Sequence, residues 1–166
     1  MGKVLKFALL AIIAVLILIQ FVPVTRTNPP VTAEVNAPAD VMAVLKRACY
    51  DCHSNETRWR WYAYVAPVSW LIAGDVKEGR EHLNFSAWAS LSPSYQRILA
   101  EDMWEQISRG EMPLWAYRVM HSGARLTDAD KAAIHRWVTS QQDAGERKNR
   151  GSGHREDEKE EDEHDH

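Results

Sequence analysis

Cysteine is nearly absent: the 166 residues hold two, Cys49 and Cys52. Two cannot by themselves make up a structural zinc site, which takes about four protein ligands, and no βαβ pattern surrounds them to suggest a redox dithiol of the thioredoxin kind. If one cofactor consumes both, no disulfide remains, so cysteine usage says nothing about redox compartment. A basic cluster is also missing. The formal net charge of −3 conceals an acidic end, because residues 152–166 carry eight acidic and two basic side chains, leaving the remainder near +3. That balance gives no electrostatic case for nucleic acid. The apolar N-terminal run, finally, lacks a small-residue A-x-A-like cleavage site directly after it.

What is present centres on Cys49-Tyr50-Asp51-Cys52-His53. The spacing C-x-x-C-H is the attachment signature of a c-type haem. The two thiols add to the haem vinyl groups as thioethers, and the adjacent imidazole reaches the iron from the same face. One pentapeptide thus supplies both tether and axial ligand. The other N–H of His53 is expected to donate to a backbone carbonyl that orients the ring, with the segment Val65 to Pro67 as the expected acceptor.

Met1 to Val24 places Lys3 and Lys6 ahead of an unbroken aliphatic run. A membrane-spanning helix needs about 20 predominantly apolar residues, and Val4 to Val24 reaches that length if Lys6 extends its amine to the interface. Residues 1–24 are therefore read as an uncleaved anchor, with a cleaved signal peptide as the alternative, and the lysines imply a cytoplasmic N-terminus. Residues 25–39 read as a proline-rich extended linker that holds residues 40–141, the candidate haem domain, off the membrane. Residues 142–166 read as a disordered acidic tail. His154, His164 and His166 in it are weak metal ligands at most.

Within the domain, Asp40 is a candidate cap for a helix whose apolar positions Val41, Val44, Leu45 and Ala48 recur at helical spacing. A second helix begins near Pro67, its apolar side expected to wall the haem. A third is opened by Ser92-Pro93 and closed by Gly110, with Tyr95, Ile98, Leu99, Met103 and Ile107 along one face. Thr127-Asp-Ala-Asp130 is a variant capping box for a last helix with the stripe Ala133, Ile134, Trp137 and Val138, suited to packing across the first. All seven tryptophans lie between residues 59 and 137. Most are expected in the core, one or two on haem propionates, a role also open to Arg58 and Arg60.

Met112 followed by Pro113, just after a helix stop, is the candidate sixth iron ligand, since His on one side and Met on the other is the cytochrome c arrangement. His121 is its main competitor. His82, Met120 and an open site also compete.

The chain from about Asp40 to Val138 resembles the small haem-binding domain family of bacterial exported proteins. The residues that carry the resemblance are Cys49-Tyr-Asp-Cys52-His53-Ser-Asn55, Trp59-Arg-Trp61-Tyr62, Ala66-Pro-Val-Ser-Trp70-Leu71, Gly79-Arg80, Leu83-Asn-Phe-Ser86, Gly110-Glu-Met112-Pro113, and Tyr117 to His121. Arg60 departs from a Trp-Pro-Trp-Tyr pattern usual in such proteins. The resemblance implies haem c binding and a cytochrome-like helical domain. The expectation is therefore an all-α chain, one covalent haem c in a small cytochrome c-like domain behind a single transmembrane helix. It would be an electron carrier of the cytoplasmic membrane facing the periplasm, or secreted there if the signal is cleaved. Its redox partners are unnamed. The alternatives are a five-coordinate, peroxidase-like haem enzyme and a haem-based sensor or binding module.

Overall fold

The structure, a computed structural model, describes residues 2–143. Among these no strand occurs, and the all-α expectation holds. The helices are α1 (Lys3–Leu18), α2 (Ala39–Ala48), α3 (Tyr50–His53), α4 (Val68–His82), α5 (Pro93–Ser108), α6 (Trp115–Met120) and α7, residues 128–143. Short 3-10 turns at Ile19–Phe21, Trp61–Tyr64, Trp88–Ser90 and Ser122–Ala124 join them. The expected acidic tail falls outside the described residues, apart from Gln142 and Asp143, which continue α7.

Two compact units divide the chain. The first combines the N-terminal segment through Thr32 with Tyr50–Ser86, and the second combines Ala33–Cys49 with the chain from Ala87 onward.

In the second unit α7 is the organising helix. Ala133, Ile134, Trp137 and Val138 are buried as the periodicity predicts, and the expected capping box forms. The Thr127 N–H donates to Asp130 Oδ2 at 2.8 Å, and the Asp130 N–H donates back to Thr127 Oγ1 at 3.2 Å. Arg47 at the end of α2 pairs with Asp130 at 2.6 Å, while Asp40 at its start meets Arg136 at 3.6 Å. Those two pairings run in opposite chain directions, so α2 and α7 are antiparallel. The same holds for α5, where Trp104 stacks on His135 at 4.4 Å and Glu101 accepts from Gln142 at 2.8 Å.

Asp40 is not the cap of α2. Pro38 occupies that position, and Asp40 stands in the first turn, where its carboxylate accepts from the Val41 N–H at 3.0 Å and offsets the helix dipole. Ser92 does cap α5, accepting from the Tyr95 N–H at 3.3 Å, with Pro93 following it. Gly110, at φ +76, turns the chain out of that helix. The buried face of α5 is Ala100, Met103 and Ile107, whereas Tyr95 and Ile98 are exposed, so the apolar stripe enters the core only after the first two turns.

In the first unit α3 and α4 lie side by side. Phe85 is fully buried, stacks on Tyr50 with ring centroids 5.5 Å apart, and faces the edge of His53 at 6.5 Å. α1 is exposed along its whole length. Past Lys3 and Lys6 it is apolar on every side, and among the described residues no protein surface covers it.

Candidate cofactor site around Cys52 and His53

The single turn α3 carries Cys52 and His53 directly after Cys49, which caps the C-terminal end of α2. What fixes that turn comes from far along the chain. His53 Nδ1 lies 2.9 Å from the Gly79 carbonyl and 3.1 Å from that of Leu83. Carbonyls only accept, so Nδ1 carries the proton and Nε2 keeps its lone pair for a metal. The acceptors therefore lie at the end of α4 and not at Val65 to Pro67. The Gly79 carbonyl already accepts the Leu83 N–H at 2.9 Å and has a second lone pair for the imidazole, while the Leu83 carbonyl stands at the C-cap, beyond the helix's own hydrogen-bond ladder.

Burial lowers the pKa of His53, and the Leu83 and Gly79 carbonyls pull it back only in part. The ring stays neutral, the form that ligates. Burial, followed by the Asp75 and Asp51 carboxylates, pushes the Cys52 thiol up to about 12. A thiol held protonated is a poor redox nucleophile, which argues against a reactive dithiol; Cys49 and Cys52 form no disulfide.

α4 can approach this closely because of Gly79. A Cβ there would stand 2.8 Å from the Cys52 carbonyl oxygen and 3.2 Å from both the Cys52 carbonyl carbon and Cβ. Arg80, its neighbour, ties the turn down. Its guanidinium donates to the Ser54 carbonyl at 2.8 Å, the Thr27 carbonyl at 2.8 Å, Thr57 Oγ1 at 2.9 Å and Asn28 Oδ1 at 3.1 Å. Asn55 adds a second knot, donating to the Pro30 carbonyl at 2.8 Å and accepting from Asn84 at 2.9 Å, while its N–H reaches Ser86 Oγ at 2.9 Å.

Asp51 is buried and paired with Arg58, whose Nε is 3.2 Å from Oδ1. Trp59 Nε1 donates to Asn28 Oδ1 at 3.1 Å. Of the arginines considered for propionates, Arg58 is thus engaged and Arg60 is exposed.

These contacts change the reading of residues 25–39. The stretch is extended, but Thr27, Asn28 and Pro30 strap the site by hydrogen bonds. Sequence reasoning gave Gly79, Arg80 and Asn55 no role of their own. Their only signal was their place in the family-like blocks.

Of the distal candidates, Met112, His121 and Met120 lie in the second unit. Met112 is half-buried on the loop past α5, its N–H donating to the Gln106 carbonyl at 3.2 Å. His121 is half-buried, with Nδ1 3.1 Å from the Tyr117 carbonyl and its ring stacked on Tyr117 at 4.0 Å. Met120 is exposed. His82, in the first unit, is exposed on α4 beside Glu78 at 3.9 Å. Trp137 Nε1 is buried and has no hydrogen-bond partner among the described residues.

A half-buried, neutral, rigidly oriented imidazole following C-x-x-C is a donor set fitted to haem iron. Residues 14–140 match the haem-binding domain family. The chain belongs to that family. No curated protein and no solved structure matches it. As a member of the haem-binding domain family the protein binds haem, and the match takes in α3, α4 and the segments that strap them.

Proposed function

We propose that the chain carries one c-type haem and works as a membrane-anchored electron carrier on the periplasmic side of the cytoplasmic membrane. Cys49 and Cys52 are its thioether tethers, His53 Nε2 its proximal iron ligand and Met112 its distal one. The observation that carries the reading is the pinning of His53 Nδ1 by the Gly79 and Leu83 carbonyls. Such contacts fix the tautomer and orientation of a ligating histidine and raise its basicity.

A haem held by His and Met supplies a one-electron couple of raised potential. The protein's own residues keep the proximal side from reorganising. Gly79 lets α4 close on Cys52, Arg80 and Asn55 lock the chain that follows, and burial keeps His53 neutral. Support for Met112 comes from its place on a loop immediately after the Gly110 turn and from the His/Met precedent for haem c. Support for the anchor is the stretch Lys3–Phe21, long and apolar enough to cross a membrane, with lysines on its N-terminal side.

Optical spectra of the holoprotein and of Met112→Ala test the reading. We expect a methionine-to-iron charge-transfer band in the parent that is absent from the variant. An unchanged variant spectrum, or bis-histidine features that vanish in His121→Ala, would remove Met112; a high-spin ferric resting state would favour an enzyme.

A further inference from the structure

The first unit exposes a run of large apolar and aromatic side chains unusual for a water-facing surface. Trp61 is 75% exposed, Leu71 68% and Tyr64 57%, and Val65 and Val68 are exposed as well. Trp61 and Tyr64 stand three apart in a 3-10 turn, where such residues eclipse one another. Val68 and Leu71 stand three apart on α4 and share a face of it. Between Thr57 and Gly74 there is no acidic residue, while Arg58 and Arg60 are basic.

This run is tied to the end of the apolar helix. The Gln20 side chain pairs with the Ala66 backbone in both directions, accepting from its N–H at 2.9 Å and donating to its carbonyl at 3.2 Å. Arg26 donates to the Ala63 carbonyl at 3.2 Å and lies over the Tyr64 ring at 4.5 Å. The 19 residues of Lys3–Phe21 extend about 28 Å at helical rise, close to the ~30 Å hydrocarbon thickness of a bilayer. Gln20 then sits at the interface, and Ala66 sits there with it.

We propose that Trp61, Tyr64, Val65, Val68 and Leu71 form a membrane-docking face that lays the haem-binding unit on the lipid headgroup layer. This rests on the reading of α1 as an inserted anchor. Trp and Tyr are the side chains enriched at membrane–water interfaces, and the bilayer is the occupant because the face continues directly from α1 through exposed Phe21 and Val22. The linker region is thus a short tie and not a spacer that holds the unit clear of the membrane.

The test uses the full-length holoprotein in phosphatidylethanolamine–phosphatidylglycerol vesicles, with one bimane label at Leu71→Cys, Val68→Cys, Glu81→Cys or Leu10→Cys. Glu81 is on the same helix as Leu71, about 15 Å farther along its axis. Doxyl lipids, labelled near the headgroup or deep in the chain, and aqueous iodide serve as quenchers. The Leu71 and Val68 labels should be quenched by the shallow doxyl lipid at least threefold more than the Glu81 label, and the Glu81 label mainly by iodide. Leu71 and Val68 labels as open to iodide as Glu81, with the Leu10 label quenched by the deep lipid, would overturn the docking face and leave the anchor standing. Labels at 68 and 71 shielded from both quenchers would mean that the haem or protein covers the patch, and would also overturn it. A Leu10 label that no lipid quencher reaches removes the anchor itself, and the docking face with it.

Discussion

α4 contains two interior glycines for which the structure predicts opposite results. At Gly74 an added Cβ meets nothing within 4 Å, so Gly74→Ala should gain the helix-propensity difference, about 0.5–1 kcal/mol. At Gly79 the same Cβ would stand 2.8 Å from the Cys52 carbonyl oxygen, with two further backbone and Cβ contacts at 3.2 Å. The opposing atoms belong mostly to backbone, so relief requires α4 to move away from α3 by several tenths of an ångström. Overpacking of this kind costs about 1–3 kcal/mol. The movement also draws the Gly79 carbonyl off His53 Nδ1, now 2.9 Å away, at a further cost of about 1 kcal/mol. After the propensity gain, Gly79→Ala should be destabilised by about 1–3 kcal/mol. Urea unfolding of the two variants in detergent, followed by far-ultraviolet circular dichroism and haem absorption, gives the comparison. If Gly79→Ala proved as stable as Gly74→Ala, with an unshifted haem spectrum, the close packing of α4 on α3 would be refuted.

Three other outcomes are expected. Arg80→Lys should lose about 2–4 kcal/mol, because a point charge cannot reproduce four contacts made by a planar fork, and hydrogen exchange should show residues 27–30 and 54–57 loosening together. Burial opposes the charge on Asp130, yet the Thr127 N–H and hydroxyl and the Arg47 guanidinium outweigh it and hold its carboxyl below the usual range. A carboxyl depressed on folding stabilises above its unfolded pKa, about 3.9, and that stability is lost as pH falls through the lower folded value. Asp130→Asn should therefore cost about 1–2 kcal/mol at neutral pH, and in an acid titration the difference between parent and variant should shrink as pH falls through the depressed folded pKa of Asp130. If the haem is tethered through Cys49 and Cys52 as proposed, the double variant Cys49→Ala/Cys52→Ala should lose its cooperative unfolding transition by calorimetry, since a domain of this size draws core material from its cofactor.

Helical periodicity and end signals were readable because they are local. Ser92-Pro93, Gly110, the Thr127–Asp130 box and the buried stripe of α7 stand where the sequence puts them. The partners of those elements were not readable. The carbonyls that hold His53 are 26 and 30 residues away, and a periodic pattern records which face of a helix is apolar without saying which helix end meets an imidazole. Arg80 and Asn55 looked like ordinary polar residues for the same reason: their acceptors are distant in sequence, and those at Thr27, Pro30 and Ser54 are backbone carbonyls, which every residue has. The proline-rich stretch 25–39 has the composition of a free linker, yet its carbonyls and the Asn28 amide serve as the strap. Tyr95 and Ile98 extend the apolar pattern of α5 beyond the reach of the core.

In the function proposed above, Cys49 and Cys52 hold one haem covalently with His53 beside them. Mass spectrometry of the denatured full-length protein, purified from a host able to attach haem c, tests it most directly. The expected mass is that of the chain plus one haem, with the chromophore retained through acid–acetone extraction and lost in Cys49→Ala/Cys52→Ala. A chain at its bare mass, with all haem passing into the solvent, would contradict it.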